Sequence, residues 1–331
     1  MIDFSLADEQ ADMVAAMRAL LANECTTALL RAHMDDPAVV DALWAHLRGW
    51  VAIADGQLVD LVLVAGELGY VAAPGPFTTT AIALPLVRAL DVTLGDRVAS
   101  GEVVATVAAV GEGGDWWAGP TSGDALGFVL EADRADVVLR VGPGGLIGLA
   151  EVTACDEMPT LDTTRRLFRV EVAPPRDERD VGVAVYAAWL GSATVVVAAE
   201  LAGTAHRILD MSVAYAKERV QFGVPIGSFQ AIQHQLADMA VSVERATAAV
   251  GYAAMAIDAQ DADSHRAVHV AKAAAGHAAT HCARQGIQVH GGIGYTWDHD
   301  LHLFIRRAYA SEHLFGTSTQ HHDLLADLLF R

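Results

Sequence analysis

The sequence predicts a mainly α-helical protein in which a small β domain separates two helical parts. Three observations support this fold class. Apolar residues recur at helical spacing near the amino terminus, and short apolar runs bounded by Gly, Pro or Asp fill residues 101–175. Long helical patterns with short connections then follow residue 181. The predicted domains are residues 1–97, 98–178 and 179–331.

The first part, residues 1–97, is predicted to be an amino-terminal helical domain. Its opening stretch from Ser5 to Asp8 has the pattern of a capping box, which typically begins a helix. Pro74, Gly75 and Pro76 mark a loop before the last of its helices. Further helices are predicted over Val39–Leu47, Gln57–Leu68 and Ala81–Ala89.

The middle part, residues 98–178, is predicted to be a small antiparallel sheet or barrel. It contains no Gly-x-Gly-x-x-Gly after a strand, so a dinucleotide-binding unit of that type is excluded. The predicted strands are Val103–Val110, Gly127–Glu131, Ala135–Val141, Leu146–Glu151 and Leu167–Val172.

The third part, residues 179–331, is predicted to be an antiparallel helical bundle of the four-helix type. Its long helices are predicted over Val183–Val220, Ser228–Ala259 and Ala262–Gly286, and a final helix from Thr317. The stretch 182–199 carries no charged residue and is just long enough to span a membrane. Since an amphipathic helical pattern continues after Glu200, a helix buried on most faces is the favoured interpretation.

Composition and charge exclude several classes of protein. With 53% apolar residues the chain can form a sizeable core, which a disordered chain cannot. The formal charge of −19 and the presence of only two lysines argue against binding to nucleic acid or to an anionic membrane surface. Three widely separated cysteines form no disulfide or metal motif, and the acidic start is not a signal peptide. We therefore expect a cytoplasmic protein.

Three motifs in the third part carry the functional signal. They are YAKERVQFGVPIGSFQAIQHQLADM at 215–239, GIQVHGGIGYTWDHDLHLFIRRA at 286–308 and HLFGTSTQHH at 313–322. In this order, after a small β domain, they resemble the acyl-CoA dehydrogenase family. The resemblance is firm over residues 181–322, loose over 1–95 and weakest in the middle part. It implies an FAD-dependent α,β-dehydrogenation of an acyl-CoA thioester, with electrons passing to an electron-transfer flavoprotein.

The resemblance also implies a set of FAD-binding residues. In the family, the equivalent of Thr317 faces the flavin pyrophosphate. The ADP half of an FAD that belongs to the neighbouring subunit is bound by the equivalents of Arg219, Phe222, Gln230, Gln288, Gly291 and Gly292. The residue types suit these roles, since arginine can hold a pyrophosphate, a phenyl ring can stack on adenine, and glycines let the main chain approach a ligand. The set comprises Arg219, Phe222, Gln230, Gln288, Gly291, Gly292 and Thr317.

The sequence departs from the family at the catalytic base. Most members place a glutamate directly before the Gly-Thr of the third motif, where this chain has Phe315. A minority use a glutamate on the long helix, at a position that corresponds to Ala193. Neither residue can accept a proton, so this chain has no base at either position. The weak candidates for a replacement are Glu200, two helical turns beyond Ala193, and Glu312 and His313 near Phe315.

The middle part also departs from the family. It lacks the Thr-Glu-Pro loop and the Trp-containing strand that hold the flavin ring, and places Trp116 and Trp117 in a Gly-rich loop. We therefore interpret the chain as the non-basic subunit of a heteromeric acyl-CoA dehydrogenase. A partner subunit carrying the glutamate would hold the flavin ring and the acyl-CoA in an α2β2 assembly. Such paired subunits act on steroid or other bulky CoA esters, although this sequence does not separate steroid from aliphatic substrates.

Two other hypotheses remain open from the sequence. The chain could be a self-sufficient homomeric dehydrogenase with an unconventional base, or a catalytically dead scaffold subunit. A metal site is not expected, because no further group of metal-binding residues accompanies the histidines and aspartates at 298–302 and 321–323. Adjacent residues on a helix also point in different directions and so do not bind one ion together. A serine hydrolase is excluded by the absence of a Gly-x-Ser-x-Gly motif.

Overall fold

A computed structural model describes residues 6–111, 114–117 and 123–330 of the 331-residue chain, with the backbone alone for Arg176. Helices, then strands, then helices follow one another along the chain, as the sequence predicts. The change to strands falls between Ala99 and Ala105, and the change back falls between Asp180 and Val183. These changes lie close to the predicted domain boundaries, which themselves remain predictions.

The amino-terminal helices form one layer against the carboxy-terminal bundle. Asp258 at the end of a bundle helix accepts the N–H groups of Leu58 (2.8 Å) and Val59 (3.0 Å), and so caps a helix more than 190 residues away in the chain. The described helices are α1 (Asp8–Glu24), α2 (Thr27–Asp35), α3 (Val40–Leu47), α4 (Leu58–Tyr70), α5 (Phe77–Leu90) and α6 (Val92–Ala99).

The middle part contains two small sheets. One has four strands in the order β1-β3-β4-β7, in which β1 and β3 are parallel and the other pairs antiparallel. The other is antiparallel, in the order β2-β6-β5. The strands are β1 (Ala105–Ala108), β2 (Ala125–Leu130), β3 (Val137–Gly142), β4 (Leu146–Ala150), β5 (Val152–Met158), β6 (Leu167–Val172) and β7 (Arg176–Asp180).

The carboxy-terminal bundle is built around its first helix. The described elements are α7 (Val183–Glu218), a hairpin of β8 (Val220–Gln221) and β9 (Val224–Pro225), α8 (Gln230–Asp258), α9 (Ser264–His290), α10 (Leu301–His313) and α11 (Ser318–Phe330). Glycines bring α7 against α4 at backbone contact. A Cβ on Gly69 would lie 2.1 Å from the Glu200 carbonyl oxygen, and one on Gly203 would lie 2.0 Å from that of Gly66. The two helical parts therefore share one core.

Several details of the sequence prediction are wrong. Helix α1 begins at Asp8 after Ala7, whose N–H donates to Gln10 Oε1 at 3.2 Å, and Ser5, at which the predicted capping box begins, lies outside the described residues. The sequence analysis also missed helices α2 and α6 and strands β5 and β7. The side chains described in both strands are exposed or half-buried, and the sequence of β7 consists of charged residues only, so the strands carry little of the apolar pattern by which strands are recognised.

Helix α7 is long and apolar enough to cross a membrane by length and composition, and so is the bent pair α1–α2 if it is taken as one span. The most apolar window of α7 is 67% buried inside the protein. Such burial is typical of the central helix of a bundle and agrees with the favoured interpretation of residues 182–199.

Candidate functional site

One end of the bundle collects six of the seven predicted FAD-binding residues. Tyr215 on α7 stacks on His290 at the end of α9, with ring centres 4.4 Å apart and planes inclined by 21°. Arg219 follows one helical turn later, with its N–H bonded to the Tyr215 carbonyl at 2.8 Å. This contact joins the ends of α7 and α9. Arg219, Phe222, Gln230, Gln288, Gly291 and Gly292, named here the bundle-end group, therefore lie on one end of the molecule.

The β8–β9 hairpin presents an aromatic ring to solvent. Phe222 is 93% exposed and has a positive φ of 51°, followed by Gly223 with φ 82°. The turn is held by the Ile226 N–H, which donates to the Arg219 carbonyl at 2.8 Å. A phenyl ring exposed to this extent contributes nothing to the core of this chain, and its large apolar face is free to stack on a flat ligand.

The glycines after α9 leave open space in front of the backbone. A Cβ added to Gly291 or to Gly292 would meet no atom within 4 Å. These glycines are therefore not required by packing within the chain, although Gly291 has a positive φ of 64° that also favours glycine. Gln288, in the last turn of α9, and Gln230, the first residue of α8, are both exposed. The backbone at Gly291 and Gly292 is thus open to a ligand, and two exposed amide side chains lie at the same end of the bundle.

Thr317 lies apart from the bundle-end group. Its Oγ1 accepts the Gln320 N–H at 3.2 Å, while Gln320 Oε1 accepts the Thr317 N–H at 2.8 Å, so that the pair caps α11. The next residue, Ser318, packs on Gly276 in the middle of α9. At 1.5 Å per residue, Gly276 is roughly 20 Å along α9 from His290. The structure therefore separates Thr317 from the other predicted residues of the site.

The position of the family's usual base is filled by aromatic rings. Phe315 is 2% exposed, and its ring stacks on Trp116 at 4.2 Å with planes inclined by 22°. Trp189 meets the Phe315 ring edge-on at 6.4 Å. Trp116 is 3% exposed, so it belongs to the core of this chain. The space beside Phe315 is therefore apolar and closed.

The loop that carries Phe315 is fixed by three side chains. Trp117 Nε1–H and His321 Nε2–H each donate to the Phe315 carbonyl at 2.9 Å. Lys272 Nζ donates to the carbonyls of Glu312 (2.8 Å) and Gly316. Burial lowers the pKa of Lys272 to about 7. The loop is thus held by the protein itself rather than left free to close on a ligand.

Ala193 offers no chemistry at the alternative base position. Its methyl group is 3% exposed on the α7 face that packs towards α5, beside Trp189. The two positions at which the family places its base therefore both carry apolar, buried side chains.

Glu200 is engaged in a buried ion pair and is not available as a base. Its Oε2 accepts from Arg165 Nη2, and its Oε1 accepts from the Thr78 hydroxyl at 2.6 Å. Burial by itself raises the pKa of the carboxyl, but Arg165, Arg307 and the Thr78 hydrogen bond outweigh it and hold the pKa below its usual value. A carboxylate with both oxygens occupied and a lowered pKa is a poor proton acceptor.

The other two candidates are also explained by structural contacts. Glu312 Oε1 accepts the Ser318 N–H at 2.6 Å and so contributes to the start of α11. His313 is exposed, and its Nε2 lies 4.0 Å from Glu312 Oε2. Neither side chain lines the closed space beside Phe315.

A buried group of charged residues lies where the three parts of the chain meet, and the sequence analysis did not find it. We call Glu131, Asp162, Arg165, Glu200 and Arg307 the charge cluster; each is at most 7% exposed. Arg165 Nη1 donates to Ser311 Oγ at 3.0 Å, and Arg307 Nη2 donates to the Ala73 carbonyl at 2.5 Å. The cluster has three acids and two arginines, so one acid lacks a counter-charge. Burial raises the pKa of Glu131 to about 7.

We expect Glu131→Gln to flatten the pH dependence of stability. The folded protein holds the Glu131 proton up to about pH 7, whereas the unfolded chain releases it near 4.5. The stability that this proton contributes is therefore present below pH 4.5 and is lost as the pH rises through 7, by about 3 kcal/mol. Urea unfolding at pH 5 and 8 measures the difference. Glu9→Gln, at an exposed position on α1, is the control, and equal slopes in all three proteins would contradict the assignment.

Comparisons with known proteins identify the family. A family profile described as "Acyl-CoA dehydrogenase, C-terminal domain" matches residues 180–330. The acyl-CoA dehydrogenase IpdE2 of Mycobacterium tuberculosis is 32% identical over 311 residues, which cover 89% of this chain and 89% of that protein. The chain belongs to the acyl-CoA dehydrogenase family. The resemblance stated from the three motifs is thereby confirmed.

Solved structures confirm the fold. A variant of the Tcur3481-Tcur3483 steroid ACAD superposes with a TM-score of 0.86 and 23% identity, covering 98% of both chains. The ChsE4-ChsE5 complex from Mycobacterium tuberculosis gives a TM-score of 0.85 and 23% identity over 99% of both chains. The fold of this family member is thus the acyl-CoA dehydrogenase fold over almost its whole length.

Within the described ranges, no group of three or more His, Cys, Asp or Glu side chains is arranged to hold a metal ion. His269 and His321, whose Nδ1 atoms are 2.8 Å apart, are a buried pair instead. His321 donates through Nε2 to a carbonyl, so its Nδ1 accepts the proton of His269 Nδ1. Burial lowers the pKa of His321 to about 3 and that of His269 to about 4.

Proposed function

We propose that this chain is the non-basic subunit of a heteromeric, FAD-dependent acyl-CoA dehydrogenase. It supplies the bundle-end group to an FAD whose flavin ring is held by a partner subunit that carries the catalytic glutamate. The observation that carries the proposal is the Phe315–Trp116 stack, which fills the base position of this chain with its own side chains. The half of a site offered outward is open, whereas the space beside Phe315 is closed.

The bundle-end group fits the ADP end of FAD by its chemistry. The Arg219 guanidinium suits a pyrophosphate, the exposed Phe222 ring suits adenine, and the space in front of Gly291 and Gly292 admits a ligand against the backbone. Bound FAD would supply the hydride acceptor, while the residues of this chain would bind and orient its ADP end. The partner's glutamate would take the α-proton of the acyl-CoA thioester.

The surface around the bundle-end group supports a partner subunit. Two segments at this end expose large apolar side chains, which is unusual for a surface that remains in water. Among the described residues these are Val220, Phe222, Val224, Phe229, Ile293, Tyr295 and Trp297. The ChsE4-ChsE5 structure is a complex of two differently named chains, and its fold matches this chain. We infer an α2β2 assembly, electron-transfer flavoprotein as electron acceptor, and a cytoplasmic location.

We propose a bulky acyl-CoA as the substrate class. The fold of this chain matches that of a protein described as a steroid ACAD. Aliphatic and steroid CoA esters both remain substrates to test with the assembled complex.

We expect Arg219→Ala to weaken FAD binding by the complex roughly 10- to 100-fold, because it removes a charge-assisted contact with the pyrophosphate. The measurement is flavin absorbance per complex after co-expression with a glutamate-bearing homologue and gel filtration. Arg266→Ala, at the opposite end of α9 in an exposed pair with Asp263, is the matched control and should retain FAD.

The same preparation separates the alternatives. One FAD per pair of subunits, with little flavin on the lone chain, is the result expected. A yellow homo-oligomer with one FAD per chain would overturn the proposal in favour of a self-sufficient enzyme. A flavin-loaded complex that no acyl-CoA reduces would leave a scaffold role as the explanation.

A further inference from the structure

A cavity of about 340 Å3 lies where helices α1, α4, α7 and α10 meet the start of α2. We call it the α1–α7 cavity. Tyr70 on α4, Arg207 on α7 and Phe304 on α10 line it. At 1.5 Å per residue along α7, Arg207 lies roughly 20 Å from Ala193 and roughly 20 Å from Arg219. Neither base position and no member of the bundle-end group or of the charge cluster lines this cavity, so it is separate from the sites described above.

The Arg207 guanidinium is held in the wall of the cavity by two aromatic rings. Its Cζ lies 5.2 Å from the centre of the Tyr70 ring and 5.3 Å from the centre of the Phe304 ring. Both rings are themselves anchored, since Phe304 is 1% exposed and the Tyr70 hydroxyl donates to Asp210 Oδ2 at 2.8 Å. Contacts of this kind attract the cation to the ring faces and fix its position before a ligand arrives.

Arg207 forms no ion pair with a carboxylate of the described residues. The nearby Asp210 accepts from the Tyr70 hydroxyl and lies 3.8 Å from His206 Nε2 instead. Arg207 lies close to the Tyr70 hydroxyl, but its buried Nε has no hydrogen-bond acceptor. An arginine without a carboxylate partner is unexpected here, because the chain has 41 acidic and only 22 basic residues.

The other charged side chains of the lining neutralise each other. Arg18 Nε and Nη2 donate to Glu67 Oε2 and Oε1 at 3.0 and 2.6 Å. Arg207 therefore gives the lining one uncompensated positive charge, in a chain whose formal charge is −19. The Thr26 hydroxyl, which accepts the Leu29 N–H at 3.3 Å, still has its own hydrogen to donate and adds a polar group to the lining.

Charge, shape and size define the ligand class. A guanidinium matches the two oxygens of a carboxylate, and the buried side chains of Leu21 and Phe304 provide an apolar surface in the same cavity. A dry cavity of about 150 Å3 holds one benzene ring, so about 340 Å3 admits a molecule roughly twice that size. We propose that the α1–α7 cavity binds a monocarboxylate with an apolar tail, its carboxylate on Arg207 and its tail against Leu21 and Phe304.

The test measures binding of octanoate to the purified full-length chain by isothermal titration calorimetry. We expect saturable binding, and at least tenfold weaker binding of 1-octanol, which has an equally long tail without the charge. Inorganic phosphate, which has charge without a tail, should also bind at least tenfold more weakly than octanoate. Because these probes contain neither flavin nor coenzyme A, the result is independent of the proposed function.

Variants of Arg207 test the part played by its charge. Arg207→Gln should weaken octanoate binding at least tenfold and leave 1-octanol binding unchanged, because the amide removes the charge. Arg207→Lys keeps the charge but not the planar pair of donors, so its affinity should lie between those of the parent and Arg207→Gln. Arg97→Gln is the control, since Arg97 pairs with Glu102 on the surface, and it should bind octanoate as the parent does.

The variants Ala22→Phe and Ala19→Phe form a matched pair that leaves Arg207 in place. Both alanines are exposed on α1, but Ala22 lines the cavity and Ala19 does not. Ala22→Phe should weaken octanoate binding at least tenfold, whereas Ala19→Phe should leave it unchanged. Equal binding of octanoate by these two variants, binding of 1-octanol or phosphate as tight as that of octanoate, or non-saturable binding would overturn the proposal.

Discussion

We expect Glu200→Gln to lower the free energy of unfolding by about 3–5 kcal/mol. Removing one partner of a buried ion pair leaves the other charge without compensation in a medium that solvates it poorly. Here the residue left behind is Arg165, which is 7% exposed and whose guanidinium reaches Glu200 from the middle part of the chain. The glutamine amide retains the shape of the carboxylate and its hydrogen bond to Thr78. The loss of stability therefore measures the missing negative charge rather than a change in side-chain volume.

The measurement is equilibrium unfolding in urea at pH 7. Glu102→Gln is the matched control, because Glu102 pairs with Arg97 at 2.7 Å with both side chains more than half exposed. Exposed pairs contribute about 0–1 kcal/mol, so this variant should hardly differ from the parent protein. Similar small losses in both variants would show that the Arg165–Glu200 pair is not the structural link described above.

We expect Trp116→Ala to lower the free energy of unfolding by about 3–5 kcal/mol as well, which is the usual cost of truncating a buried tryptophan. The size of this loss distinguishes a core position of Trp116 from a position in a movable lid. If Trp116 lay in a surface lid that moves aside for a flavin, its removal would have little effect on the stability of the lone chain. Its ring is instead 3% exposed and stacked on Phe315.

Two comparisons make this prediction specific. Trp116→Phe keeps an aromatic ring on Phe315 and should recover part of the loss, since the stack itself contributes about 0.5–1.5 kcal/mol. Tyr295→Ala removes an aromatic ring that is 75% exposed and should leave stability nearly unchanged. A stable Trp116→Ala protein that binds one FAD by itself would contradict the assignment of Trp116 to the core.

Phe315 and Trp116 are thus part of the packed interior of this chain. The Phe315–Trp116 stack lies beside Trp189 on α7, and Arg165 pairs with Glu200 further along the same helix. Both contacts join the middle part of the chain, and so the β domain, to the bundle. The bundle-end group makes no comparable set of internal contacts, which is consistent with a role towards a partner.

The sequence predicted features that depend on residues close together in the chain, and it missed features that depend on contacts between residues far apart. The long bundle helices and most strands were predicted because hydrophobic period and turn residues are local signals. The charge cluster was missed because Arg165 meets residues 35 and 146 positions away, and an isolated arginine or glutamate gives no local sign of its partner. The stacking of Trp116 on Phe315 was missed for the same reason, since the two residues are distant in the chain.

The sequence by itself determined the family, the order of helices and strands, and the absence of a glutamate at Phe315 and Ala193, because motifs and substitutions are properties of the residues themselves. Only the tertiary structure decided that Thr317 lies apart from Arg219, that Glu200 is neutralised by Arg165, and that Trp116 closes the space beside Phe315. Each of these depends on which side chains the packing of α7 against α4, α9 and the β domain brings together. That packing is fixed by burial of surfaces far apart in the chain.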